Sequence, residues 1–306
     1  MDEKTLNELM NRCKDHVDSL IEKYHYPSNI GHLLYLIVPA FIVKYGIQNE
    51  RYILNSFEQI PIVIGTRDDK IYQAYYSAVP VERDGKIVTR KGIVLNHYQN
   101  TELMQLLDNL VHEFNHAINS IKEEVLWDEE IVKVRTGICY ILYDRKTLKP
   151  IKKEESSIIE EIINTKQTEM IIDIIHSFYN HEFTNPELNN ALYSIHSFIN
   201  HRYQSDAYLL QSIVCRSLME NKTFISTLEN LRFHGNVEDV DDWFNHITGK
   251  PNSFSRLTFL LNETLKLQMD LTKKKGIRFF KIRKIRGFNQ EAMNIVEKFN
   301  QNCNYR

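Results

Sequence analysis

The chain has 306 residues, of which 42 % are apolar and 25 % charged. That balance is ordinary for a soluble globular protein, and the length suits one large domain or two of common size. A formal net charge of −2 argues against a dedicated nucleic-acid binder on global electrostatics. The four cysteines, Cys13, Cys139, Cys215 and Cys303, show no Cys-x-x-Cys spacing. They read as reduced thiols, and with no apolar signal core in Met1–Leu20 the expectation is a cytoplasmic protein.

Residues 1–26 carry Leu6, Leu9, Met10, Cys13, Val17, Leu20, Ile21 and Tyr24 at the three-four spacing of an amphipathic helix. A break at Tyr26-Pro27-Ser28-Asn29 separates it from a second helix reaching about Lys44. The run Leu33–Val43 inside that helix is strongly apolar but too short to span a bilayer. It predicts a buried helix, with no membrane partner. Residues 52–97 read as a small, mainly antiparallel sheet. Its parts are Ile60–Ile64, Ala74–Val81, a turn at Arg83-Asp84-Gly85-Lys86, and an extended run ending at Gly92–Asn96.

A helix then begins at Glu102, with Leu103, Leu106, Leu107, Leu110, Phe114, Ala117 and Ile118 as its buried stripe. Ile131–Thr136 and Ile138–Tyr143 predict a hairpin within residues 127–151. A long helix follows from about Glu154 to Tyr179. From Asn185 onward the chain reads as helical, broken near Phe233–Asn236 and Gly249–Asn252. The fold expected is α+β: a small, mainly antiparallel sheet packed on the 102–119 helix, then a mostly α-helical C-terminal half. The division falls between residues 1–119 and residues 120–306, the second half carrying the inserted hairpin.

The 102–119 helix contains His112-Glu113-Phe114-Asn115-His116. Histidines four apart lie on one helix face, a turn from each other, so both imidazoles can reach one metal ion. Zinc takes neutral imidazole readily and tolerates an open position. Glu113 sits beside the two histidines, placed as a general base toward water that the metal activates.

A catalytic zinc needs a third protein ligand. A histidine six residues after His116 would mark a metzincin, but that position is Lys122, and the glycine expected before it is Asn119. A glutamate on the next long helix is the alternative, and Ile159–Glu169 offers Glu160, Glu161 and Glu169. At this point the sequence resembles the gluzincin superfamily, the thermolysin-like zinc peptidases, in which a second helix supplies a Glu ligand in an Asn-Glu-Gly or Glu-Glu-Gly context. The resemblance covers the two helices, the strand before them and the helical C-terminal half, and it implies a zincin-like fold.

It implies Glu161 as the third ligand, preceded by Glu160, with Glu160 and Glu169 as rivals. One zinc per chain, His112, His116 and Glu161 as ligands, and peptide or protein substrates follow from it. The gap from His116 to Glu161 is 45 residues (161 − 116), longer than in thermolysin, and the hairpin fills it. Thr165 stands where that family has an Asp, which leaves Asn164 or Glu169 to orient a histidine. The family binds extended peptide on an upstream edge strand, for which Gly92–Asn96 is the expected segment. It also stabilises the oxyanion with a Tyr or His of the helical half, for which His201, Tyr203 and Tyr208 are candidates and Tyr208 is preferred. The function expected is a zinc metallopeptidase. A catalytically inactive metal- or protein-binding scaffold, or an amidohydrolase acting on a non-peptide amide, is the alternative.

One motif lies outside that reading. Lys273–Arg286 is basic, with Phe279, Phe280, Ile282 and Ile285 interleaved. Contact with nucleic acid or an anionic membrane is one reading. An amphipathic core element with a solvated basic face is the expected one.

Overall fold

The computed structural model describes residues 3–65, 73–96, 98–120, 125–127, 130–153, 157–181, 183–196, 208–234, 239–273 and 278–304. The first helix, α1 (Glu3–Tyr24), buries Leu6, Leu9, Met10, Cys13, Val17 and Leu20 along one stripe, as their spacing requires. In α2 (Ser28–Tyr45) every residue from Leu33 to Ile42 is buried. By length and composition α2 could cross a membrane; in this fold it packs against its neighbours in the same unit. Gly46 ends it at φ 92°, donating its N–H to Ile42 O at 2.8 Å.

Residues 52–59 depart from the expected sheet. They belong to a helix, α3 (Glu50–Gln59), whose buried residues Ile53, Ser56 and Phe57 keep the three-four spacing that selects a helix. Strand pairing starts only at β1 (Ile62–Ile64), followed by β2 (Ala74–Arg83) and β3 (Lys86–Leu95). Asp84 (φ 52°) and Gly85 (φ 71°) close the β2–β3 hairpin, the two positive φ angles that a type I′ turn demands. The sheet order is β1-β3-β2, with β1 parallel to β3 and β2 antiparallel to it. Gly92–Leu95 therefore lies in the central strand, bonded on both sides, and is not the expected edge. Three-residue β1 takes the place that an added peptide would need.

Helix α4 (Leu103–Ile118) packs on β2 and β3 and on α2 and α3. The Phe57 and Phe114 rings, 4.4 Å apart, and Phe41 and Phe57, 5.7 Å apart, tie α2, α3 and α4 together.

After α4 the predicted hairpin becomes a four-stranded antiparallel meander: β4 (Val125–Trp127), β5 (Ile131–Thr136), β6 (Cys139–Asp144) and β7 (Pro150–Lys153). Helix α5 (Ser157–Ser177) follows, then α6 (Pro186–Ile195), α7 (Leu209–Val214), α8 (Arg216–Met219), α9 (Lys222–His234), α10 (Asp239–Thr248), α11 (Ser253–Lys273) and α12 (Arg278–Asn304). The fold is thus mixed α and β, mostly helical, with two small sheets and a helical C-terminal half.

The chain groups into two compact units: Met1–Ile118 with Gln167–Gln204, and Asn119–Lys166 with Ser205–Arg306. It leaves the first unit after α4 and returns to it within α5, a single continuous helix. The apolar centre of the second unit joins Ile158, Ile159, Ile162 and Ile163 of α5 to Phe224, Phe244 and Phe299, with the last two rings stacked at 4.5 Å.

Two arginines are fully buried in the second unit. Arg135 donates to the carbonyls of Asn119 (2.5 Å), Gly137 (2.7 Å) and Arg232. Arg232 forms a fork on the Glu160 carboxylate and also donates to Asn164 Oδ1 at 2.8 Å. Ile138 N–H completes the carboxylate's partners at 3.0 Å. Gly137, at φ 61°, lies so close to Glu160 that a Cβ would come within 2.0 Å of its carboxyl carbon. A buried pair of this kind stands or falls as a unit. Arg232→Met is expected to lower unfolding free energy by about 3–5 kcal/mol, since it strands a buried carboxylate. The double variant Arg232→Met with Glu160→Met is expected to lose less, as urea titration of both will show.

Candidate metal centre

The apolar stripe of α4 holds the helix on its sheet, and toward its C-terminal end the whole circumference is enclosed. Glu113, Asn115 and His116 are all buried there, and His112 is half-buried. The His112 and His116 rings stand 4.9 Å apart at 78° to each other, as a spacing of four on a helix dictates. Glu161, half-buried on α5, joins them: one ligand atom from each of His112, His116 and Glu161 lies within 4.8 Å of the others. Donors at about 2.0–2.2 Å around a tetrahedral ion sit roughly 3.3–3.6 Å from one another. Small side-chain rotations would close the set to that spacing. Two imidazoles and one carboxylate, with a fourth position left over, make a donor set that suits a divalent metal, zinc above all.

Adjacent glutamates on α5 take different work. Glu160 points to Arg232 and the Ile138 amide, and Glu161, a residue further and about 100° round the helix, points to the histidines. Among the described residues, His112, His116 and Glu161 form the only such group of potential ligands, and Glu169 is not in it.

What brings the helices into this register is a chain of buried polar bonds. Tyr45 OH donates to Asn115 Oδ1 at 2.6 Å, and Asn115 Nδ2 donates to Gln167 Oε1 at 3.0 Å. Asn115 and Gln167 are both fully buried. Beside Gln167, Thr168 Oγ1 stands 3.5 Å from His112 Nδ1. Thr168 is seven residues after Glu161, two turns along the same face of α5. Thr168 thus meets the histidine that Asn164 or Glu169 was expected to orient, while Asn164 accepts from Arg232.

Glu113 has its own support. Tyr76 N–H, on β2, donates to Glu113 Oε2 at 2.6 Å. Gln73 O accepts from Asn96 N, and the antiparallel register then turns odd-numbered β2 backbone groups toward β3 and even-numbered ones, Tyr76 among them, outward. Pro80, lacking an N–H, sits in the outward set, where an edge strand tolerates it. The edge next to Glu113 is therefore β2.

Tyr208 precedes α7, with its ring packed on the apolar centre of the second unit. His201 and Tyr203 lie outside the described residues. Sequence reasoning missed Asn115, Gln167, Thr168 and the Tyr76 amide. The first three had a signal: polar residues at inward positions of helices whose other inward positions are apolar. The amide had none.

Comparison with protein-family models, with curated proteins and with solved structures finds no match for this chain.

Two outcomes follow from the geometry. Glu161→Ala is expected to abolish tight zinc binding and Glu169→Ala to leave it unchanged, as competition with a chromophoric chelator will show. Asn115→Leu is expected to weaken zinc binding by about 10–100-fold, the usual effect of removing a group that orients metal ligands, with circular dichroism unchanged. Affinity equal to wild type would remove Asn115 from the account.

Proposed function

We propose that this chain is a gluzincin-like zinc metallopeptidase, with one zinc held by His112, His116 and Glu161 and with Glu113 as general base. The observation that carries the reading is the convergence of those three ligands beside a buried carboxylate. A structural zinc would call for four protein ligands and no neighbouring base. When bound, zinc lowers the pKa of water to about 7 and polarises a carbonyl oxygen.

The remaining work falls to the chain. The Tyr76 amide fixes Oε2 of Glu113 and leaves Oε1 to accept a proton from the attacking water and pass it to the leaving amine. Enclosure of Glu113 and His116 limits bulk water around that transfer. A small sheet on the His-Glu-x-x-His helix, followed by a helical half, agrees with a zincin-like fold. A cytoplasmic location and Tyr208 as oxyanion donor rest on the sequence reading alone.

Glu113→Gln is expected to retain one zinc per chain and to lose hydrolysis by about 10²–10⁴-fold, measured on a peptide library with and without chelator. Undiminished turnover would remove Glu113 as base. Zinc retention with no cleavage of any peptide by the wild-type protein would reject the peptidase.

A further inference from the structure

The basic segment before and within α12 has a surface that the metal centre leaves unexplained. Residues 271–290 carry eight lysines and arginines and no acidic residue, in a chain whose formal net charge is −2. The expectation that its apolar residues are core holds for Ile285, which is buried, and fails for two others. Phe280 is 71 % exposed and Ile282 is 40 % exposed. Phe280, Arg283 and Lys284 share one helical face by their three-four spacing, and Ile282 and Arg286 share the adjoining one.

Two other surface arginines are held by carboxylate forks. Arg12 forks onto Glu50 and Arg256 onto Glu291. Arg283, Lys284 and Arg286 are exposed and form no ion pair with any described residue. Three acidic residues of this helix pair are engaged in ion pairs, Asp270 with Lys281, Glu263 with Lys266 and Glu291 with Arg256, and the fourth, Glu297, accepts from Gln301 at 3.3 Å. Lys284 Nζ stands 5.2 Å from the Phe288 ring. The result is an exposed phenyl ring on one face with Arg283 and Lys284, while Ile282 points from a different face.

We propose that this face of α12 docks on the surface of an anionic phospholipid bilayer. Charge complementarity supplies the attraction, which acts within about a Debye length and so is not cancelled by the neutral remainder of the chain. Phe280, on the face it shares with Arg283 and Lys284, supplies the apolar part, entering the boundary between headgroups and acyl chains as the apolar face of an interfacial helix does. A nucleic acid would also match the charge and could stack on Phe280, so its binding is an outcome of the test. The inference does not rest on the metal reading.

The test uses the full-length protein and vesicles of phosphatidylcholine alone or mixed with phosphatidylserine, separated by sedimentation. Binding is expected only to the mixed vesicles and is expected to fall as salt rises. Arg283→Gln with Arg286→Gln should weaken it roughly thirty-fold, about fivefold for each basic side chain lost. Phe280→Ser should also release the protein at unchanged charge, with the same thermal midpoint as wild type because the side chain is exposed. Failure to bind phosphatidylserine vesicles overturns the proposal. So does equal binding by all three proteins, or binding to a single-stranded oligonucleotide that Phe280→Ser and the arginine substitutions abolish while vesicles are ignored.

Discussion

The candidate centre depends on one constraint: two helices far apart in sequence must pack in a single axial register. His112 and His116 come together through the repeat of their own helix, but Glu161 meets them only if α5 neither slides nor rotates against α4. Apolar packing alone sets register weakly, because Ile side chains on α5 can interdigitate in more than one way. The buried Asn115–Gln167 bond is specific, since a slip of one turn would strand two amides away from water. Tyr45 extends the same chain to α2, a deeply buried helix of the first unit. Ligand geometry is thereby tied to the apolar core.

A second device acts on the other half of α5. Glu160 is bound by the Arg232 fork, and Arg232 also holds Asn164 one turn on. Two neighbouring carboxylates are so given opposite roles, one neutralised inside the second unit and one left for a metal. Burying an ion pair is a poor way to gain stability, and its better-attested use is to fix one arrangement among several. The close approach of Gly137 to Glu160 shows how little room that arrangement leaves.

Much of this was legible in the sequence. The His112–His116 helix, the deep burial of Leu33 onward, the Asp84-Gly85 turn and the helix break near Gly249 all follow from local spacing and turn chemistry, and each is where the structure has it. What was not legible required partners distant in the chain. Nothing local separates Glu160 from Glu161; the distinction comes from Arg232, 72 residues later. The central position of β3 depends on three-residue β1, too short to signal its pairing. Residues 52–59 border a β-rich stretch after Ile60, although Ile53 and Phe57 already keep helical spacing. Phe280 reads as core by composition, and its exposure belongs to tertiary packing.

The most direct test of the account is anomalous scattering measured at the zinc absorption edge on crystals grown with equimolar zinc. The account predicts one peak per chain, within bonding distance of both histidines and of Glu161, with a non-protein oxygen as the remaining ligand. A peak elsewhere, or one enclosed by four protein ligands, would contradict it.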